Sequence, residues 1–184
     1  IIINITTIFL IIVSGLGFPV YWEIIRVASA HLGKNKNTNG RKMNLHTKLV
    51  IYVTIALILT GAVLTLLFEC NNPDTLGKMN MPQKLMASLF QSVTLRTAGF
   101  ATISQEYFRP ASCMAYLILM FIGGSPAGTA GGIKTVTVVL LLASMFANIR
   151  GKKDVVVLNR KVSDDTIRRC VAIAVFSLST LFLL

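Results

Sequence analysis

Long apolar runs alternate with short polar ones along this chain. Ile1 to about Ile25 is apolar almost throughout, and Leu49 to Phe68 is 20 residues without a charge, closed by Glu69. A helix needs about 20 such residues to cross a bilayer, so both read as spanning segments. The first carries a kink signal near its end, Gly15-Leu16-Gly17-Phe18-Pro19. Pro82 to Thr94 is also apolar, with proline in a first helical turn and Asn80 or Met81 at the cap position. At 1.5 Å per residue this helix reaches only about 20 Å, too short to cross. It fits a re-entrant helix that dips into the membrane and returns through Leu95 to Ser104. Ala111 to Ile149 is too long for one straight span and is split by a glycine-rich break into 111–122 and 133–149. Val171 to Leu184 begins a further helix, entered through Ser163-Asp164-Asp165-Thr166. Ser163 or Asp164 is its expected N-cap, with the acids on the positive end of the helix dipole.

Two interruptions stand between these runs. The first is Thr94-Leu95-Arg96-Thr97-Ala98-Gly99-Phe100. The second is Gly123-Gly124-Ser125-Pro126-Ala127-Gly128-Thr129-Ala130-Gly131-Gly132, which holds five glycines, two alanines, one serine, one threonine and one proline. Irregular backbone at membrane depth leaves peptide groups without partners, and each costs several kcal/mol in hydrocarbon. It survives only where it is buried in protein or lines a water-filled path. Two such breaks in succession point to a route for ions.

Composition fixes the class as all-α integral membrane. The chain is 54% hydrophobic and 14% charged, with mean hydropathy +0.70, whereas a soluble domain carries about 25% charge. The net charge of +11 marks cytoplasmic loops in such a protein, not nucleic-acid binding. The polar stretch 26–48 contains Arg26, Lys34, Lys36, Arg41, Lys42 and Lys48 and no acid, and its middle, Asn35 to Gly40, reads as a flexible connection. A second basic block, within 150–165, holds Arg150, Lys152, Lys153, Arg160 and Lys161. The two blocks fall on one side of the membrane only if the stretch between them contains a hairpin and not a full crossing at Pro82–Thr94. Glu69 to Gln83 is then external, with Asn71-Asn72-Pro73-Asp74 as a turn. The abrupt apolar ends give the expectation of a piece of a longer polypeptide. Cys70, Cys113 and Cys170 have no metal spacing, and ordinary packing is favoured over a Cys70–Cys113 bridge.

The unit from 49 to 149 therefore reads as helix, pore loop, helix, the second helix interrupted by glycines. The short helix turns the negative pole of its dipole toward the membrane centre, which favours a cation. The segment after it, expected to be extended, can offer the backbone carbonyls of Thr97, Ala98 and Gly99 in exchange for an ion's water. Gly99 adopts backbone angles closed to other residues, and Phe100 is expected to wedge the strand against surrounding helices. Arg96 is expected to turn backward and pair with an acid or with carbonyls, because a cation facing the path repels cations. The stretch Gly123–Gly132 carries no large side chain and is expected to be a mobile plug, its Ser125 and Thr129 hydroxyls satisfying stray backbone groups. The competing reading is a small-residue packing stripe at Gly124, Gly128 and Gly132, which Pro126 interrupts. Lys134, just after the loop, either tunes ion energy there or snorkels or pairs elsewhere. Glu23 and Arg26, three apart on a helix, read as a local ion pair. No enzyme is expected. In Gly128-Thr129-Ala130-Gly131-Gly132-Ile133-Lys134-Thr135, Ile133 separates glycine from Lys134 and no strand precedes it, so it is not a phosphate loop. Gly123-Gly124-Ser125 lacks the following glycine of a nucleophile elbow, and His31 and His46 lie in the first basic loop.

Leu89-Phe90-Gln91-Ser92-Val93-Thr94-Leu95-Arg96-Thr97-Ala98-Gly99-Phe100 resembles the third filter of the Trk/Ktr/HKT potassium transporters, nearest to the bacterial Ktr membrane subunit. Residues 123–135, GGSPAGTAGGIKT, look like that family's intramembrane loop. Gly15-Leu16-Gly17-Phe18-Pro19 and Asn44-Leu45-His46-Thr47-Lys48 are similar to its second-to-third repeat junction. The resemblance implies four helix–pore loop–helix repeats around one pore. Residues 1–25 would be the last helix of the preceding repeat. The third repeat would comprise helix 49–68, pore helix 82–94, filter 95–100 and broken helix 111–149, and 166–184 would begin the next repeat. It implies potassium held by carbonyls at Thr97, Ala98 and Gly99, with sodium a possible activator or co-ion, and no cofactor in this chain. It also implies a homodimer in the bacterial plasma membrane, working with a cytosolic nucleotide-binding regulatory ring. Pro126 departs from the family's loop pattern and is expected to stiffen it. The alternative is a secondary cation transporter with broken helices around a midplane site.

Overall fold

The computed structural model describes residues 2–31, 43–152, 154–158 and 160–183. The expected flexible connection Asn35–Gly40 lies outside them, as do Lys34, Lys36, Arg41, Lys42 and Lys153.

Helix α1 (Ile2–Leu16) stops at Gly17, and α2 (Phe18–His31) leaves it at 95°. The single helix expected over 1–25 is thus two helices. Gly17 has φ +81°, a left-handed turn that glycine makes without strain. Pro19 then falls in the first turn of α2, where its missing N–H removes no helical bond. Helix α3 (Leu45–Glu69) is 25 residues long, which at 1.5 Å per residue is about 37 Å. Among the described residues it alone is long and apolar enough to cross a membrane as one straight helix.

Helix α4 (Met81–Thr94) is short. Its first turn is closed by the Asn80 N–H, which donates to Gln83 Oε1 at 3.2 Å. α4 lies against α3 and touches α1. Gly61 permits that approach: a Cβ there would stand 3.0 Å from Ser92 Cβ. The Ser92 hydroxyl uses the gap to donate to the Ile58 carbonyl at 2.6 Å. A 3-10 turn at Gln105–Tyr107 leads into α5 (Pro110–Phe121), which packs on α3. α6 (Thr135–Ile149) and α7 (Asp164–Leu183) flank a hairpin of β1 (Val156–Val157) and β2 (Arg160–Lys161), with Val156 opposite Lys161. Asp154 lies 2.6 Å from the Lys161 ammonium and holds its pKa above the usual lysine value. The Ser163 carbonyl accepts the Thr166 N–H at 3.0 Å, so Ser163 caps α7 and Asp164 and Asp165 occupy its first turn.

Two apolar cores result. Leu76, Leu95, Ile103, Phe108, Tyr116 and Leu119 fill the space between α3, α4 and α5. Leu49, Leu140, Ala147, Val155, Val157 and Cys170 fill the space under α6, α7 and the hairpin. All three thiols are free.

Two buried carboxylates fasten the ends of α3. Glu69 is 0% exposed. It accepts from Asn72 Nδ2 at 2.6 Å, Thr75 Oγ1 at 2.8 Å, the Arg109 N–H at 3.0 Å and the Ser112 hydroxyl. α3, the turn after it and the start of α5 therefore share one acceptor. Glu23 pairs with Arg26 at 3.1 Å, as the spacing predicts. It also accepts the Asn44 N–H and the Thr47 hydroxyl, joining α2 to the start of α3.

Candidate functional site

The end of α4 does not open at once into an extended strand. Its helical turn persists: the Leu95 N–H donates to the Gln91 carbonyl at 3.1 Å, Arg96 to Val93 at 3.2 Å and Ala98 to Thr94 at 3.1 Å. Continuing the turn keeps these amides paired, which low-dielectric surroundings reward. The chain then reverses through two left-handed residues, Thr97 at φ +64° and Gly99 at φ +78°. The Thr94 hydroxyl closes the reversal by donating to the Phe100 carbonyl. Among the described residues, no group donates to the carbonyls of Arg96, Thr97, Ala98 or Gly99. A Cβ on Gly99 would meet nothing within 4 Å, so glycine is required there by conformation and not by space. Phe100 is 56% exposed. It does not wedge against these helices, because the turn at Gly99 carries it away from them.

Arg96 points the other way. It is 6% exposed, with Nη2 3.5 Å from Thr54 Oγ1 of α3 and 3.7 Å from where a Gly15 Cβ would stand. Of the two expected kinds of partner, an acid or carbonyls, no acid pairs with it among the described residues, and its Nε has no hydrogen-bond partner. The guanidinium instead lies beside the last turn of α1, the negative pole of that helix.

The break between α5 and α6 is a closed loop with a neck. Ile122 and Ile133 form a parallel bridge. The Gly123 N–H donates to the Ile133 carbonyl at 2.9 Å, Ile133 to Phe121 at 2.9 Å and Thr135 to Gly124 at 3.1 Å. The neck has no room for side chains: a Cβ on Gly123 would stand 2.7 Å from the Gly131 carbonyl carbon. The tip docks on the junction of α1 and α2. The Ser125 N–H donates to the Gly15 carbonyl at 3.1 Å, Thr129 to Ser14 at 3.4 Å, and Phe18 to Ala127 at 3.4 Å. These α1 carbonyls are available because the helix ends at Gly17 and leaves its last acceptors without helical partners. The Thr129 hydroxyl also donates to the Ser14 carbonyl, and the Ser125 hydroxyl to Pro126, as expected of them. Pro126 belongs to the contact itself, its carbonyl 2.6 Å from where a Gly17 Cβ would stand.

On the return limb, the Gly131 N–H donates to Thr97 Oγ1 at 2.8 Å, and Lys134 Nζ donates to the Ala130 carbonyl at 2.8 Å. Gly124, Gly128 and Gly132 lie in this irregular loop, not on one helix face, so the packing-stripe reading does not hold. Three breaks in helical structure thus converge: the turn 95–100, the loop 122–134 and the junction 14–18. The docking of the loop on the junction, and the hydrogen bond to the Thr97 side chain, have no signal in the sequence. The kink signal was visible, but which break meets which is decided only by tertiary packing.

The sequence over residues 1–184 matches the profile of a cation transport protein family, TrkH. The chain belongs to the TrkH family. Its similarity to individual uptake proteins is consistent with that. It is 36% identical over 181 residues to Ktr system potassium uptake protein B of Bacillus subtilis, covering 98% of this chain. It is 34% identical over 168 residues to the protein of that name from Vibrio alginolyticus, covering 91% of this chain. It is 35% identical over 170 residues to potassium/sodium uptake protein NtpJ of Enterococcus hirae, covering 92% of this chain. The chain spans 38%, 35% and 35% of the lengths of these three relatives, respectively. TrkH membership agrees with the helical membrane class and with the family resemblance seen in residues 89–100 and 123–135.

Proposed function

We propose that residues 94–135 form one wall of a potassium-conducting path in a cell-membrane uptake protein. The carbonyls of Thr97, Ala98 and Gly99 stand in for water around a dehydrated monovalent cation, and Gly123–Gly132 gates the path beside them. One observation carries this reading: the loop returns to donate a hydrogen bond to Thr97, while the neighbouring carbonyls accept none among the described residues. Oxygen ligands without internal partners are what a dehydrated potassium ion needs. The carbonyl end of α4 adds a negative potential, and Arg96 is turned away from it. A re-entrant helix ending in unpaired carbonyls favours a pore over a midplane transporter site.

The relatives' names fit potassium as the transported ion, and the name of NtpJ adds sodium. A homodimer served by a cytosolic nucleotide-binding ring belongs to the same proposal, suggested by relatives named as parts of a Ktr system. Lys134, tied to the loop backbone, sets a positive potential at the gate.

The test is Gly99→Val in the protein expressed from its complete reading frame. A branched side chain at positive φ distorts the carbonyl ring, and potassium uptake falls by about ten-fold at equal membrane abundance. Uptake that persists with its ion preference intact ends the pore reading. A second variant lacking 126–130 takes up potassium faster without its activating partner. Equal uptake in that variant would count against a gate.

A further inference from the structure

We infer that the Thr97 side chain positions the gate: its hydroxyl is the latch that holds the loop's return limb against the filter. The inference rests on the reading just given, in which 95–100 lines the ion path and 123–132 closes it.

Thr97 is a branched residue held at φ +64°, a conformation that branched side chains rarely occupy. Strain of this kind persists where surrounding contacts over-determine it, and it concentrates at switches. The contact here is specific. The Gly131 N–H points at Thr97 Oγ1 from 2.8 Å, and among the described residues it makes the one hydrogen bond between loop and filter segment. The loop's other anchors run to Ser14, Gly15 and Phe18 at the α1–α2 junction, or close its own neck. The filter segment offers no other side chain for the task. Arg96 is buried on the far side, and Ala98, Gly99 and Phe100 have no polar side-chain atom.

Both partners of the bond are exposed, so water can replace it when the loop moves. The latch is therefore weak enough to open, unlike a buried bond, whose loss leaves an unpaired amide. When it opens, the contact that pins Thr97 is gone, and filter and gate change together.

The experiment compares Thr97→Val, Thr97→Ser and Gly99→Val in the complete protein, purified into liposomes and assayed by rubidium flux without its activator. Valine keeps the branch and removes the acceptor; serine keeps the acceptor. T97V raises flux by about five-fold per folded transporter, equivalent to about 1 kcal/mol, the net worth of one such bond. T97S recovers most of the closure. Amide exchange at Gly131 accelerates in T97V by a similar factor, which a general loosening confined to other elements does not produce. A T97V flux equal to or below the parent's, or T97S behaving as T97V, overturns the latch. If T97V is silent while Gly99→Val suppresses flux, the latch alone is wrong. If Gly99→Val is silent too, the pore reading has failed and the latch with it.

Discussion

Gly123→Ala opens the neck of the loop. The added methyl would overlap the Gly131 carbonyl, 2.7 Å from its carbon, and stand 3.1 Å from Gly132 Cα. Both obstacles are backbone, so no side chain can rotate away. Forcing one methyl into a packed contact of this kind costs about 3 kcal/mol. The bridge between Ile122 and Ile133 is the structure that yields, because the helices on either side are anchored by their own ladders. The Gly123 N–H and the Ile133 carbonyl lose each other, and the loop's tip and return limb lose their fixed base. Two measurements check this. The melting temperature of the complete protein in detergent drops by several degrees, and liposomes carrying the variant leak potassium without activation. A variant with parental melting and parental regulation shows that the neck is not closed as described.

Glu69→Ala is the second large effect. Four donors from two segments, the turn after α3 and the start of α5, converge on this one buried carboxylate. Removing it leaves them facing a cavity, and each unpaired buried donor costs about 1–3 kcal/mol. The losses are not additive, because Asn72 also donates to the Tyr107 carbonyl and some donors can find water. The expected net loss is about 4 kcal/mol, comparable to breaking a buried ion pair. Glu69→Gln keeps the volume but turns two N–H groups toward existing donors, and it falls between alanine and the parent. Thermal unfolding followed by size exclusion measures the order Glu, Gln, Ala. Because Glu69 does not touch the loop 122–134 or the turn 95–100, the proposed uptake per folded molecule stays at the parental level. A loss below about 1 kcal/mol for alanine shows that water already serves these donors.

How much of this was legible beforehand depends on the kind of signal. The uncharged run Leu49–Phe68 is explicit in composition, and the structure extends it only to Leu45–Glu69. Pro82 and the run to Thr94 gave α4 within one residue, since proline marks a helix start and the polar Arg96 its approach to an end. The glycine-rich interval separated α5 from α6 for the same reason. What failed were features decided between segments. Gly17 gave a kink, but a 95° turn depends on what receives the freed carbonyls, and that partner lies 110 residues away at Ser125. Glu69 looked like the polar end of an apolar run, because nothing local to it announces Ser112 or Arg109. For Arg96 the sequence offers an acid or carbonyls as partners, and no pattern in the chain says that its neighbours are Thr54 and the carboxyl end of α1.

The joint at Gly17 constrains how the molecule can be recombined. The loop tip and the α1–α2 elbow are two halves of one fitting, mated through main-chain atoms, with the Pro126 carbonyl seated where any side chain on Gly17 would stand. Grafting segment 122–134 from a relative without residues 14–18 transfers a loop without the main-chain groups that receive its tip. Chimaeras built with both pieces from one parent are the ones that keep a matched pair.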